Sequence, residues 1–317
     1  MKNGMFLLLA IVASDIINKV NCAIAARKGT GSKHCSYKEG VPRTFWISKR
    51  GFDYGSIVDL TAEGIALEIQ KGNINPMPLG FGFERLTEAN TVETSNIGLS
   101  SLSRKGIYKY RFTWDKDDTL QSVMASYDSN DIYDYVSIDS KGNMKLTQNG
   151  NVITGASVGL LDTDPFTEAD GSVSGKVGMM VELNNPQDYN QFAAYFSQAN
   201  LPFRPDKVEG INDVDLTLTG FEAAASEITF SAFLKDGTTA FQGGSETDFK
   251  LLVNDELVAL TAVTEGEPGK YTATFAAPLV AADTLKLSTW DDATKTVAVI
   301  KDGISVYRGS QVTEVVA

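Results

Sequence analysis

The chain is expected to be a mainly β protein in two parts: a β-barrel or β-sandwich domain with one or two short helices, then a second β-sandwich. Three observations carry this. Residues 107–114 alternate Tyr108, Tyr110, Phe112 and Trp114 with Lys109, Arg111 and Thr113, the period of two of a half-buried strand. Beyond residue 207, short runs of Val, Leu, Phe and Thr recur at intervals of roughly 8–12 residues with turn dipeptides between them. The 317 residues are 43% hydrophobic, enough for two cores at about 100–200 residues per domain.

The N-terminus admits two readings. Lys2 and the apolar run 5–13 match the first two regions of a secretory signal, and the run is far short of the roughly 20 residues that span a bilayer. Asp15 and Lys19 break the stretch after that run, no Ala-x-Ala triplet comes after Ala13, and Asn21 stands before Cys22 where a lipoprotein box has a small residue. Alternatively, Leu9, Val12, Ala13, Ile16, Ile17 and Val20 form one stripe of an amphipathic helix, opposite Ser14, Asp15 and Asn18. We carry the retained helix forward, within an N-terminal arm of residues 1–40, with cleavage as the alternative. Cys22, His34 and Cys35 fall short of the four ligands of a structural zinc site, and whether the cysteines pair is left open.

Residues 41–207 form the first expected domain. After a Gly-, Ser- and Lys-rich loop at 27–44, Phe45, Trp46 and Ile47 begin a strand. Thr61 caps a helix running to about Lys71, with Ile65, Leu67 and Ile69 among its apolar residues and Gly72 as its stop. Phe81 and Phe83 begin another strand. Residues 84–106 are a long polar excursion leading into the alternating strand 107–114. Leu120, Val123, Met124 and Tyr127 then fall at helical spacing. Asp115, Asp117 and Asp118 decorate the start of that helix, where negative charge is favoured, and this accounts for them better than a cation site does. Tyr133–Asp139, a turn at Lys141, Gly142 and Asn143, and residues 144–147 read as a hairpin. Strands come next at 158–161 and Lys176–Leu183. Between them the acidic loop 162–171 lacks the spacing and closing Glu of a calcium loop. Residues 186–197 read as a short helix, with Tyr189, Phe192, Ala193 and Phe196 inward. Pro202 and Pro205 mark the linker.

Residues 208–317 offer strands at 214–219, 228–234, Phe249–Val253, 257–263, 271–275, 285–289, 297–300 and 304–307. Turns fall at Asp236-Gly237, Asn254-Asp255, Pro268-Gly269 and Asp302-Gly303. This spacing is the signature of an immunoglobulin-like sandwich, here without cysteines.

Composition narrows the function. The net charge is −12. Residues 1–50 hold nine Lys/Arg against two Asp/Glu, for +7; residues 51–207 hold 12 against 21, for −9; residues 208–317 hold 7 against 17, for −10. Such a body is unsuited to general nucleic-acid binding, while the basic arm can dock on an acidic neighbour. There is one His, at position 34, which leaves no basis for a histidine triad. No nucleophile elbow, phosphate loop or zinc-protease motif is present, and Trp46, Trp114 and Trp290 lie on separate strands. No enzyme, catalytic residue, cofactor or metal is expected.

In order, residues 40–200 resemble the tail tube proteins of long-tailed bacteriophages, some of which carry a C-terminal immunoglobulin-like domain. The resemblance rests on the excursion 87–106 feeding strand 107–114, the helix begun by Asp115 to Gln121, the hairpin with its turn Asp139 to Asn143, and the late strand 175–183 after an acidic loop. Residues 28–35 and 94–105 are also similar to uncharacterised virion proteins of phages of Bacteroidetes hosts. The apolar N-terminal segment departs from the tube pattern. The resemblance implies a tail-tube-like barrel that assembles with copies of itself, as six-membered rings stacked through the long loop and terminal arms into an acidic DNA conduit. It implies other virion proteins as partners, DNA passing without specific binding, and a sandwich outside that touches the host surface. Location would be the virion. The alternatives are another virion part (head decoration, head–tail ring or fibre) or a secreted surface adhesin.

Overall fold

The structure is a computed structural model. It describes residues 40–56, 60–115, 118–149, 152–165, 175–185, 193–292, 294–302 and 305–316, and the backbone of 16–18. The protein is mainly β, as its sequence predicts, and divides into two compact units, Met1–Val208 and Glu209–Ala317.

In the first unit the order is β1 (Ile16–Asn18), β2 (Pro42–Lys49), α1 (Ala62–Gln70), β3 (Ile74–Pro76), β4 (Gly82–Arg85), β5 (Thr91–Thr94), β6 (Ser100–Arg104), β7 (Lys109–Asp115), α2 (Asp118–Ala125), β8 (Ser129–Asn130), β9 (Tyr133–Asp139), β10 (Met144–Asn149), β11 (Val152–Thr154), β12 (Ala156–Thr163), β13 (Lys176–Leu183) and β14 (Ala193–Phe196). All but β5 and β6 join one sheet, ordered β1-β14-β10-β9-β12-β13-β7-β4 with β2 on β9. The sheet turns at β12, which pairs first with β9 and then with β13 across a bulge after Val158. A bulge bends a strand and lets a sheet close on itself. The seam between β2 and β7 is closed by residues 77–81. The amides of Met77 and Gly80 donate to Phe45 and Arg43 of β2, and the amide of Phe81 donates to Thr113 of β7. The indole of Trp114 donates to Pro78 O at 3.0 Å across the same seam.

Alternation fills this barrel. Tyr110, Phe112 and Trp114 point inward from β7 and pack with Phe45 and Ile47 of β2, Tyr135 of β9, and Val177, Met179 and Val181 of β13. Phe45 and Phe112 ring centres lie 4.5 Å apart. Trp46 and Ser48 face the other way and are also fully buried, so β2 is covered on both faces. Helix α1 lies against β3 and buries Ile65, Ala66 and Ile69. Its start is set by Thr61, whose hydroxyl accepts from the Gly64 amide at 3.1 Å, and its end by Gly72 at φ 69°.

Four expectations for this unit are corrected. Ile16–Asn18 is a strand, paired antiparallel with Phe196, Tyr195 and Ala194. The β-branched Ile16 and Ile17 suit a strand, and an open edge on β14 outweighs helical spacing. Residues 193–196 are likewise strand, all four buried, between β1 and β10. Burial on both faces removes the alternation that would have marked them. Residues 87–106 contain an ordered hairpin, β5–β6. Residues 202–205 are no free linker, because Leu201, Phe203 and Pro205 are buried and the first unit runs on to Val208. Cys22, His34, Cys35, and Tyr189 and Phe192 of the short helix expected at 186–197, lie outside the described residues.

The second unit holds β15 (Ile211–Gly220), β16 (Glu227–Leu234), β17 (Phe249–Val253), β18 (Glu256–Val258), β19 (Leu260–Glu267), β20 (Lys270–Phe275), β21 (Thr284–Thr289), β22 (Ala298–Lys301), β23 (Ser305–Gly309) and β24 (Val312–Val315). Two sheets, β19-β20-β16-β15-β23-β22 and β18-β17-β21-β24, enclose one core. Leu216, Phe230 and Tyr271 come from the first sheet, Phe249, Leu251 and Leu287 from the second. Among the described residues the pairings of this unit are antiparallel except β15 with β23. The expected run 257–263 is split between β18 and β19, and β24 is an added strand. Asn254 and Asp255, both at positive φ (53° and 68°), make the tight turn between β17 and β18.

Candidate functional site

The described surface most suited to a function is the hairpin β5–β6. Beyond β4 the ladder to β7 continues, with the Leu86 and Glu88 amides donating to Lys109 O and Ile107 O at 2.9 and 3.0 Å. The chain then leaves the barrel. At the base of the hairpin, the Gly106 amide donates to Asn90 Oδ1 at 2.8 Å. A Cβ on Gly106 would lie 1.9 Å from Glu88 O, so the two backbones approach as only glycine permits. Glu88 binds Arg104 at 2.8 Å and Lys109 at 3.0 Å, and Lys109 also binds Glu182 at 3.1 Å. The Lys109 ammonium, by hydrogen bond and charge, holds the Glu88 carboxyl below its ordinary range, aided by Arg104. Reciprocally, Glu88 and Glu182 raise Lys109. This network pins the ribbon to the barrel wall.

Within the ribbon, Val92 opposes Leu102 and Thr94 opposes Ser100, whose hydroxyls lie 3.1 Å apart. The other face carries Glu93, which accepts from the Ser103 hydroxyl at 2.8 Å. At the tip the Ser95 amide donates to Leu99 O at 2.8 Å, and Gly98 adopts φ 78°. Among the described residues β5 and β6 pair only with each other, and every residue of both is exposed. Ile97 is 81% and Leu99 68% exposed, and Val92 and Leu102 are more than half so. Isolated two-stranded ribbons are marginal in water. One that displays exposed aliphatic side chains is suited to burial against another surface.

The outward side of β7 is not a free cationic site. Arg111 meets Asp164 twice, Nη2 to Oδ1 and Nε to Oδ2, each at 3.0 Å, and Lys109 is paired as above. Asp164 is thus a structural partner from the acidic loop, whose residues 166–171 lie outside the described set. Asp115 ends β7 and Asp118 opens α2, both exposed, while Asp117 lies outside. Among the described residues no three His, Cys, Asp or Glu side chains converge as metal ligands. Trp46 and Trp114 are core residues. Trp290 is half-buried, with Lys250 Nζ 4.1 Å from its ring centre and its indole donating to Asp292 at 2.9 Å. No described helix is long and apolar enough to cross a membrane.

Sequence reading missed the hairpin as an element, though Gly98 and Gly106 and the pairing of Val92 with Leu102 were its available signals. No protein-family model matches the chain, and no match is found among curated proteins.

Proposed function

We propose that the chain is a virion structural protein, a phage tail tube subunit whose copies assemble into stacked rings around a DNA conduit. The observation that carries this reading is the hairpin β5–β6, an anchored ribbon whose aliphatic side chains are exposed in the single chain, Val92 and Leu102 on one face and Ile97 and Leu99 at the tip. A second copy is the occupant it suits. Fully burying an aliphatic side chain stabilises by about 1.5–3 kcal/mol. Val92 and Leu102 on one face, with Ile97 at the tip, therefore offer a contribution near the lower end of the roughly 4–15 kcal/mol lost when two molecules associate. A lone pair of copies is held weakly, and a ring in which each copy has several neighbours is held well. Assembly is then steep in concentration. The second unit, read as an immunoglobulin-like module outside the ring, adds surface for contact with a host. The role needs no reaction.

Negative-stain microscopy and sedimentation of the full chain across concentration test the reading. Rings or stacked tubes are expected. Val92→Asp with Leu102→Asp should leave monomers with an unchanged circular dichroism spectrum. A full chain that stays a monodisperse monomer at high concentration overturns the proposal.

A further inference from the structure

If the hairpin is an assembly surface, as read above, it needs a counterpart, and the first unit carries an apolar surface fit for one. The segment 77–81 closes the seam between β2 and β7, yet two of its apolar side chains stay outside. Leu79 is 44% and Phe81 52% exposed, on either side of Gly80. Val41, two residues before the Arg43 carbonyl that accepts from the Gly80 amide, is 60% exposed. The backbone beneath is fixed. A Cβ on Gly80 would lie 3.3 Å from Thr113 O and 3.5 Å from Arg43 O, so the segment sits tightly between the two strands. A patch on so firm a wall is a pre-formed surface.

The patch and the hairpin lie at opposite ends of one ladder. The Phe81 amide donates to Thr113 O at one end, and the Glu88 amide to Ile107 O at the other. Between them β4 and β7 run antiparallel, with Gly82 opposite Thr113 and Arg85 opposite Tyr110. At about 3.4 Å per residue these ends are roughly 20 Å apart. The chain enters the hairpin from the Glu88 end. Its tip residues Ile97 and Leu99 are exposed, so they do not fill the patch of their own chain. Charge differs between the two surfaces. Residues 91–103 hold one charged side chain, Glu93. Beside the patch stand exposed Arg43 and Lys176, whose Nζ lies 5.8 Å from the Phe81 ring centre. Asp115, opposite Lys176 in the ladder, is the acid there, which leaves one cation in excess. The tip is thus apolar with a negative charge, and the patch apolar with a positive one.

We propose that Leu79 and Phe81, with Val41 beside them, receive the hairpin tip of a second copy, Ile97 and Leu99 covering the patch and Glu93 facing Arg43 and Lys176. Donor and acceptor surfaces differ, so the contact is heterologous. A copy that gives its tip at one end still offers its patch at the other, and the contact passes from copy to copy. Val92 and Leu102, on the shaft of the ribbon, are left for a different neighbour. A symmetric contact of patch on patch is the competing arrangement. It would set the cations of one copy against the same cations of the next, and like charges oppose it.

Cysteine cross-linking of the full chain is the test. Cys22→Ser and Cys35→Ser clear the native thiols. One such chain then carries Leu99→Cys and another Leu79→Cys, and the two are mixed and mildly oxidised. The expected product is a disulfide-linked dimer in which peptide mass spectrometry joins position 99 to position 79, in excess over links of either chain with itself. Should Leu79→Cys fail to fold, Phe81→Cys takes its place. In sedimentation, Phe81→Asp should weaken association by about tenfold or more at an unchanged circular dichroism spectrum, and Leu99→Lys added to that chain should recover most of the loss. Copies that assemble by microscopy yet give no link from 99 to 79 would overturn the patch as the acceptor and leave the assembly reading standing. Links of 79 to 79 alone would overturn it in favour of the symmetric contact. A full chain that stays monomeric would overturn both.

Discussion

Asp134 and Asp139 both lie on β9 and both are buried, 2% and 3% exposed, yet they respond to pH with opposite sign. At Asp139, burial raises the carboxyl, but it is outweighed by the Asn143 side chain and the amides of Asn143, Gly40 and Lys141, so the net shift is downward. Those donors lie 2.8–3.2 Å away. A carboxyl lowered in the fold contributes stability above its unfolded value of about 3.9, and this is lost as the pH falls through the folded one. Asp139→Asn should therefore cost about 1–3 kcal/mol at neutral pH, since bonds to a charged acceptor are lost. At Asp134 burial dominates and the net shift is upward. The native state then holds the proton more tightly than the unfolded chain, so stability falls as pH rises from about 3.9 through the raised value. Asp134→Asn should raise stability at neutral pH. Urea midpoints over about pH 3–7 read both effects. The two variants should bracket the native chain at neutral pH and converge on it in acid. Bracketing in the reverse order would show that the two environments had been misjudged.

At the scale of elements, what could be read was what one-sided burial writes into a chain. β7 and β13 bury alternate or nearly alternate residues, and α1 announces itself by Thr61 and Gly72. Two substitutions measure those signals by denaturant unfolding. Thr61→Ala removes the cap and should cost about 0.5–2 kcal/mol. Gly72→Ala meets no atom within 4 Å, so its cost of about 1–2 kcal/mol is that of the left-handed backbone alone. What could not be read had lost its periodicity. β14 is buried on both faces, so Ala193, Ala194, Tyr195 and Phe196 read as a helix. β1 depends on that strand for its pairing. β5 and β6 bury neither face, so their Thr, Glu and Ser content read as loop. The candidate site was thus the least legible part, because a ribbon exposed on both faces carries no burial pattern of its own. Its base can be tested directly. Gly106→Ala forces the Glu88 backbone away, and should loosen the hairpin while leaving the barrel folded. Trypsin should then cut at Arg104 and Lys105 faster than in the native chain at equal thermal midpoint. Equal cutting rates would show that the glycine does not hold the ribbon.

Across the whole molecule, open strands and charge are unevenly distributed. The second unit guards its sheet edges: β18, β22 and β24 are three or four residues long, and β19 carries two bulges with Glu265 and Glu267 beside the second. Short, bulged and acidic edges discourage strand addition. The hairpin of the first unit, among the described residues, pairs with no other strand. Charge shows a related division, with +7 on residues 1–50 and −9 and −10 on the stretches 51–207 and 208–317. A DNA conduit must not bind what passes through it. Binding to phosphates requires unpaired cations, and each one engaged adds about one unit to the salt dependence. The most cationic strand face of the first unit has Lys109 paired with Glu88 and Glu182, and Arg111 paired with Asp164. The full chain should therefore fail to retard duplex DNA in a gel at about 0.15 M salt, where surface charges are screened within about 8 Å. The basic arm is where this expectation is most exposed. If DNA were retarded, and the retardation vanished on removal of residues 1–39, the arm would be a nucleic-acid contact and a passive conduit would be the wrong description. Retardation that survived the truncation would place unpaired cations on the acidic body itself, against its charge balance.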